Sequence, residues 1–271
     1  MATRLLVAGI GIPLMLILFL FCPTICVAIV LGVLTTIGAY ELLKATGCVN
    51  HRVMIAAAML TAFAVPFWYY AGCSMPAALG GLLLLMIALM GTAFKSQGKV
   101  SLHEISTSVM AGAVIPLMLC SLLLLCDLMP HNIYTMLPFF AAFGSDSAAL
   151  FAGKFLGKHK LAPVLSPNKT VEGAIGGIFG AAALCSLYAL IVQLATGILP
   201  NYLAMVVFGL LGSVVSQFGD LAFSYIKRLY SIKDYGHLFL AHGGVLDRFD
   251  SVIFCAPFAV AFIQTIPLFQ L

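Results

Sequence analysis

Long apolar blocks separated by short polar connections run through the whole chain. A helix that crosses a membrane needs about 20 mostly apolar residues in succession. Segments of that kind lie near residues 5–22, 24–43, 53–72, 76–94, 107–126, 133–153, 173–197, 202–226 and 250–269. Pro23 separates the first two and cannot continue the first helix, so we expect a tight helical hairpin there. The pattern therefore predicts about nine transmembrane helices.

Basic residues fall only at the N-terminus and in every second connection between these segments. They are Arg4 at the N-terminus, Lys44 and Arg52 in the second connection, Lys95 and Lys99 in the fourth, Lys154, Lys158, Lys160 and Lys169 in the sixth, and Lys227, Arg228, Lys233 and Arg248 in the eighth. Connections on the cytoplasmic side of a membrane carry the excess of Lys and Arg. We therefore expect the N-terminus and these connections in the cytoplasm and the C-terminus on the opposite side.

The composition supports the bilayer as the solvent of this protein. Of its 271 residues, 63% are hydrophobic and 8% are charged, and the mean hydropathy is +1.14. Soluble domains carry roughly 25% charged residues, so too little polar surface is present for a soluble protein of this size. The eight cysteines lie mostly in apolar runs, none as CxxC, and we interpret them as packing residues.

The predicted fold class is an all-α polytopic integral membrane protein that forms a single membrane domain over residues 1–271. Residues 1–130 would serve mainly as a scaffold, and residues 131–271 would hold the catalytic spans and cytoplasmic loops. No small-residue cleavage site and polar mature domain follow the first apolar run, so we interpret it as a retained span.

Two acids, Asp146 and Asp220, lie inside predicted spans and away from their ends, where an unpartnered carboxylate costs several kcal/mol. Around Asp220, polar residues recur at three- and four-residue steps, which places them on one helix face. They are Ser213, Ser216, Gln217, Asp220, Ser224 and Lys227. This stripe predicts a water-accessible cleft that opens at the cytoplasmic side. The alternative is a structural hydrogen bond between helices.

A second candidate site lies just before the last predicted span, where Asp247 and Asp250 are three residues apart. On a helix that begins there, both carboxylates share a face, and carboxylates with substrate phosphates are ligands that Mg²⁺ prefers. Gly243 and Gly244 would allow a close backbone approach or a positive φ, and Arg248 could hold a phosphate through two hydrogen bonds. The alternative is an ordinary turn whose acids stabilise a helix start.

The sixth connection contains a third candidate site. Ser166 as N-cap and Pro167 at the first helical position predict a helix start. A helix N-terminus with neighbouring lysines and hydroxyls is a ready anion site. The alternative is a polar cap among lysines that only set topology. Taken together, the acids and basic loops point to a metal-assisted phosphate reaction at the cytoplasmic surface, without naming a substrate.

At these residues the chain resembles the phosphatidate cytidylyltransferases, also called CDP-diacylglycerol synthases. Their C-terminal signature stands here as Ser224, Ile226, Lys227, Arg228, Lys233, Asp234, Gly236, His242, Gly243, Gly244, Asp247, Arg248 and Asp250. The SPxKTxEG segment at residues 166–173 also matches, as does Asp146 upstream of Gly153-Lys154. The motifs cover roughly residues 140–255, and length and span count extend the likeness to the whole chain. The chain departs from the family at Leu240 and Ala241, where Pro, often followed by Gly, usually precedes His-Gly-Gly.

The resemblance implies that CTP and phosphatidate react to give CDP-diacylglycerol and pyrophosphate. It implies Mg²⁺ as cofactor, leaves a second cation open, and implies a homodimer in a bilayer without a nucleic-acid partner. We expect it in a bacterial inner membrane, with the active site facing the cytoplasm.

The resemblance also implies roles for single residues. The expected metal ligands are Asp220 and Asp247, helped by Asp250 and Asp146. The expected catalytic residues are Asp220, Asp247, Lys227, Arg248 and His242, the last as an orienting or phosphate-contacting group. The expected substrate-binding residues are Ser166, Lys169, Thr170, Glu172, Ser224, Arg228, Lys233, Asp234, Gly243 and Gly244.

Two other functions remain open on the sequence. A CTP-dependent lipid kinase of the dolichol or phytol type would transfer the γ-phosphoryl group, although the full C-terminal signature argues against it. A proton-coupled transporter could use Asp146 and Asp220 as a relay, but transporters often have two similar halves. Here only the second half has acids near mid-bilayer, since Glu41 lies at the cytoplasmic edge of its span.

Overall fold

The computed structural model describes residues 13–236, 238 and 243–270. Its helices are α1 (Thr24–Ala45), α2 (Arg52–Tyr70), α3 (Met75–Lys95), α4 (Leu102–Val109), a π-helical turn (Met110–Val114), α5 (Ile115–Cys126), a 3₁₀ helix (Pro130–Met136), α6 (Leu137–Leu156), α7 (Val171–Thr196), α8 (Tyr202–Leu229) and α9 (Leu246–Thr265). Within the described residues, seven helical segments are long and apolar enough to cross a membrane. The predicted helical polytopic membrane protein is therefore confirmed.

The number of nine spans and the side of each terminus stay predictions. Arg4 and residues 5–12 of the first predicted span lie outside the described residues, whereas residues 13–21 are helical. The last predicted span corresponds to α9, which begins at Leu246, four residues before the predicted start. The predicted span 107–126 corresponds to α4, the π-helical turn and α5. Helix α4 begins earlier, at Leu102, where Ser101 and Glu104 form a reciprocal capping box.

Among the described residues four short strands accompany the helices, and they correct one prediction. They are β1 (Lys160–Ala162), β2 (Ser166–Thr170), β3 (Leu199–Pro200) and β4 (Phe269–Gln270). The helix start predicted at Ser166 and Pro167 is wrong, because this segment is β2, antiparallel to β1. In a two-stranded sheet both strands are edge strands. Pro167, which has no backbone N–H, is therefore tolerated in β2. The Oγ1 atom of Thr170 instead accepts the Gly173 N–H at 3.1 Å, and Thr170 is the N-cap of α7.

The described chain divides into two compact units. The first unit runs to Asp127 and also includes Leu229–Arg248. The second unit comprises Leu128–Arg228 and continues from Phe249 onward. Helix α9 therefore begins in the first unit and continues in the second.

Small residues allow close helix packing in the first unit. The Thr35 hydroxyl of α1 donates a 2.8 Å hydrogen bond to the Ala62 carbonyl of α2. A Cβ atom on Gly112, in the π-helical turn, would lie 2.8 Å from the Cα of Ala58. The turn therefore approaches α2 more closely than any larger residue would allow.

In the second unit, α6 and α7 pack through glycine and alanine at four-residue spacing. A Cβ atom on Gly176 would overlap the side chain of Ala152, and one on Gly180 would overlap that of Ala148. In lipid no hydrophobic force drives helices together, so close backbone approach supplies much of the association energy. This seam fixes the start of α7 against the end of α6.

Candidate active site

A cavity of about 340 Å³ lies in the second unit between α6, β2, α7 and α8. Its polar lining comes from Asp146, Lys154, Asn168, Lys169, Thr170 and Gln217. Thr170 and Gly173, at the first turn of α7, also face it. The cavity therefore combines two lysines with a helix N-terminus, a combination that attracts anions.

The centre of the site is an ion pair between Lys169 at the end of β2 and Asp220 on α8. The Lys169 Nζ atom contacts Asp220 Oδ2 directly. Ser224, one turn further along α8, donates to Asp220 Oδ1 at 3.3 Å. Lys169 and Asp220 keep 28% and 21% of their side-chain surface exposed, so a water-soluble ligand could reach the pair.

The inner half of the predicted polar stripe does not line a wet cleft, and the prediction is wrong for Ser213 and Ser216. Both are completely buried. The hydroxyls of Ser213 and Ser145 lie 2.7 Å apart, and Gln217 Nε2 donates to both hydroxyls at 3.1 Å and to the Ala174 carbonyl at 3.0 Å. These hydrogen bonds join α8 to α6 and α7 and satisfy Ser213 and Gln217 away from water. The buried Ser216 hydroxyl has no hydrogen-bond partner among the described residues.

Two more acids lie near Asp220 within the second unit. The Asp250 carboxyl group on α9 interacts electrostatically with Asp220, Lys227 and Asp146. The α8 and α9 backbones touch at this level, where a Cβ atom on Gly219 would lie 2.8 Å from the Asp250 carbonyl oxygen. The predicted acids Asp146, Asp220 and Asp250 are thus brought together with compensating lysines.

No group of three or more His, Cys, Asp and Glu side chains in the described part of the chain is arranged to hold a metal ion. Mg²⁺ usually takes only one or two carboxylates and completes its shell with water and substrate phosphates. The carboxylate oxygens of Asp220, with the Ser224 hydroxyl beside them, are hard donors of the right kind. The residues therefore fit Mg²⁺ by their chemistry, and the Lys169 ammonium group lies where positive charge is favoured.

The loop around the β1–β2 hairpin is fixed by two residues that we predicted as substrate-binding. Glu172, in the first turn of α7, accepts the Lys158 N–H at 3.0 Å and contacts His159 Nδ1 at 2.6 Å. Arg228 donates from Nε to the Leu165 carbonyl at 3.2 Å. Ser166 lies in β2, paired with Ala162. The substrate roles of these residues stay predictions.

In the first unit, Asp247 closes the predicted Gly-Gly loop. Its Oδ2 atom accepts N–H groups from Tyr235 at 2.8 Å and Gly244 at 3.0 Å. Gly243 has φ +80°, as predicted for this pair, a conformation that glycine adopts without strain. Asp247 and Asp250 both lie in the first turn and a half of α9, so the predicted sharing of one helix face is confirmed.

Other predicted residues surround this loop. Lys233, Asp234 and Arg248 are exposed, and His242 lies outside the described residues. Tyr230, which precedes the loop, lies with its hydroxyl 2.9 Å from His103 Nε2. Burial, and then the nearby Cys48 thiol group, raise the pKa of Tyr230.

Glu41 on α1 contacts this loop, and the sequence does not reveal that contact. In the sequence it lies near the end of the predicted span 24–43, and the structure buries its side chain against the loop. Its two carboxyl oxygens accept the N–H groups of Val245 and Leu246, each at 3.0 Å. The partners are 204 and 205 residues away in sequence, so no local pattern could indicate the contact.

Comparison with known proteins gives the family. The sequence profile of the "Cytidylyltransferase family" matches residues 2–266. Three similar proteins are named phosphatidate cytidylyltransferase. That of Bacillus subtilis (strain 168) is 48% identical over 114 residues, 42% of this chain and 41% of that protein. That of Staphylococcus epidermidis (strain RP62A) is 40% identical over 134 residues, 49% and 50% of the two chains. That of Staphylococcus aureus (strain COL) is 45% identical over 129 residues, 46% of each chain.

The chain thus covers half the length of these relatives or somewhat less. The family profile, by contrast, spans nearly the whole sequence, including both candidate groups of residues. On that match, the chain belongs to the cytidylyltransferase family.

Proposed function

We propose that this protein is a phosphatidate cytidylyltransferase of the membrane, which transfers CMP from CTP to phosphatidate. One arrangement carries the proposal: the Lys169–Asp220 pair beside a cavity that Lys154 also lines, at the N-terminus of α7. A cavity that attracts phosphate next to an acid fits a reaction between two phosphate compounds. Family membership and the names of its relatives support the choice of cytidylyl transfer.

The proposed reaction requires no redox partner. A phosphate oxygen of phosphatidate attacks the α-phosphorus of CTP and forms a new P–O bond. The bond from that phosphorus to the bridging oxygen breaks, and its electron pair leaves with pyrophosphate. Because both reactants are anions, the site must first neutralise their repulsion and align them.

The residues of the second unit suit this task. Lys154 and Lys169 would attract phosphate oxygens, and the N–H groups at the start of α7 would bind them. Asp220 would orient the Lys169 ammonium group until phosphate arrives. Lys227 and Arg228, at the last turn of α8, would add positive charge. In the first unit, Lys233 and Arg248 would hold phosphate close to the backbone of Gly243 and Gly244.

Mg²⁺ belongs to the proposal as a cofactor. When bound, it would neutralise phosphate charge and favour departure of pyrophosphate. In the second unit we assign Asp220, helped by Asp146 and Asp250, to hold it. In the first unit Asp247 is a separate candidate ligand. We further propose a homodimer in the bilayer, as the family resemblance implies. We also propose that the active site faces the cytoplasm, since Lys169 and Asp247 lie in the basic sixth and eighth connections of the sequence.

The test uses the full chain in lipid nanodiscs with phosphatidate, Mg²⁺ and CTP labelled either in cytidine or at the γ-phosphate. We expect the cytidine label to enter the lipid fraction and the γ-label to leave as pyrophosphate. Transfer of the γ-label to lipid would identify a lipid kinase and overturn the proposal. Absence of both labels from the lipid would also overturn it, and substrate flux into proteoliposomes would then favour a transporter.

A further inference from the structure

We infer that Glu41 is a positioning residue, which fixes the start of α9 and thereby orients Asp247 and Arg248. The inference rests on the proposed function, because those two residues matter only if the loop before α9 handles phosphate. All of the contacts that carry it lie within the first unit.

The first step is the capping of α9. The first N–H groups of a helix have no partner inside the helix. The residue before Leu246 is Val245, whose apolar side chain cannot cap a helix. Glu41 performs this role from α1, because its Oε1 accepts the Val245 N–H and its Oε2 accepts the Leu246 N–H, each at 3.0 Å. A carboxyl group is also the favourable charge at this end of a helix.

The second step is steric. A Cβ atom on Gly244 or on Gly236 would overlap the Glu41 carboxyl group. One turn earlier on α1, a Cβ atom on Gly38 would lie 3.2 Å from Leu246 Cδ2. The two loop glycines therefore make room for the Glu41 carboxyl group, and Gly38 allows Leu246 to pack closely on α1.

The third step links Glu41 to the proposed catalytic acid. The N–H groups of Gly244, Val245 and Leu246 are consecutive, and two carboxyl groups share them. Asp247 takes the first, and Glu41 takes the next two. Because Glu41 is only 6% exposed, water cannot easily replace it. Loss of its hydrogen bonds would release the backbone on which Asp247 and Arg248 are carried.

The first experiment measures the contact without reference to activity. Hydrogen–deuterium exchange of the full chain in nanodiscs compares the wild type with Glu41→Gln, which keeps the shape but retains only one acceptor oxygen. We expect faster exchange in peptides that contain Val245 and Leu246, with α1 itself unchanged. Unchanged exchange there would overturn the inference. Glu104→Gln is the matched control, since Glu104 caps its own helix through Ser101.

The second experiment measures cytidylyl transfer. A buried hydrogen bond to a charged group is worth enough to predict a loss in kcat of about tenfold or more for Glu41→Gln, with Glu104→Gln near wild type. The KM for phosphatidate should change less than kcat. A structural collapse would affect both, so this difference separates lost positioning from lost folding. Wild-type rates in Glu41→Gln would overturn the inference, whereas an inactive wild type would overturn the proposed function and leave the exchange result valid.

Gly244→Ala approaches the same contact from the loop. Its new Cβ would displace the Glu41 carboxyl group, so the losses caused by Gly244→Ala and Glu41→Gln should not multiply in the double variant. Multiplicative losses would show that the two residues act separately and would contradict the inference. This variant also tests the contact if Glu41→Gln does not fold.

Discussion

At the residue scale, Asp220 is held by a lysine and a serine, and its charge is the property that the proposed reaction needs. Asp220→Asn keeps the size of the side chain and an oxygen for Ser224, but it removes the charge that orients Lys169. We expect cytidylyl transfer to fall at least about hundredfold, as when a preorganised charged contact is lost. Folding should persist, because partly exposed ion pairs contribute little to stability.

The measurement is label transfer to lipid, with the thermal unfolding midpoint of the same preparation as the check on folding. Lys169→Met should produce a similar loss from the other side of the pair. Turnover close to the wild-type rate in Asp220→Asn would remove Asp220 from the site.

Asp247 combines a structural and a chemical role, and two substitutions separate them. Its Oδ2 atom holds two backbone N–H groups. In Asp247→Asn, the amide oxygen can still accept both, so we expect a folded, inserted protein without CDP-diacylglycerol synthesis. Asp247→Ala loses the acceptor as well and should also speed hydrogen exchange at Tyr235 and Gly244. Normal turnover in Asp247→Asn would leave Asp247 with the structural role alone.

Site residues that belong to a short sequence motif could be predicted from the sequence. A side chain that binds distant backbone groups could not. The signature identifies Asp247 and Gly243, and the structure gives both a defined place in the loop. Glu41 escaped prediction because a glutamate near Lys44 looks like an ordinary span edge. Its role depends on N–H groups more than 200 residues away, and these carry no side-chain signal.

At the element scale, the seam between α6 and α7 fixes the start of α7, which lines the cavity. A Cβ atom on Gly180 would overlap the side chain of Ala148, which has no flexible end that could move away. We expect Gly180→Ala to lower the free energy of unfolding by about 1–3 kcal/mol through overpacking. The measurement is unfolding in one detergent, by heat or by denaturing detergent.

Gly80→Ala is the matched control, since Gly80 lies inside α3 with nothing within 4 Å of the new Cβ atom. Alanine has the higher helix propensity, so this variant should be neutral or more stable by up to about 1 kcal/mol. Equal effects of the two variants would mean that the close approach of α6 and α7 does not limit stability.

The sequence predicted which segments are helical more accurately than it predicted the residue at which each helix begins. Apolar length alone located the helices, because a bilayer demands about 20 such residues. The start of α7 was misplaced because Ser166-Pro167 has the residue types of a helix cap, while pairing of β2 with β1 decided the structure. Likewise, helical spacing found the polar stripe on α8, but only packing reveals that Ser213 and Ser216 face other helices.

At the scale of the whole molecule, orientation in the membrane decides whether the candidate residues can meet CTP. The prediction of a cytoplasmic site depends on basic connections alternating with neutral ones. Cys73 lies exposed between α2 and α3 in a connection without Lys or Arg, so it should face away from the cytoplasm. Gln97, exposed between α3 and α4 beside Lys99, should face the cytoplasm.

Both positions can be tested in a variant whose other seven cysteines are replaced by serine or alanine. In intact cells a membrane-impermeant maleimide should label Cys73. In a background without Cys73, Gln97→Cys should be labelled only after permeabilisation, because α3 with its 21 residues lies between the two positions and is long enough to cross. The reverse pattern would place the basic loops outside, where CTP is not supplied, and would contradict the proposed function together with the topology. Labelling of both positions from outside would mean that α3 does not cross, and the alternation on which the orientation rests would fail at that helix.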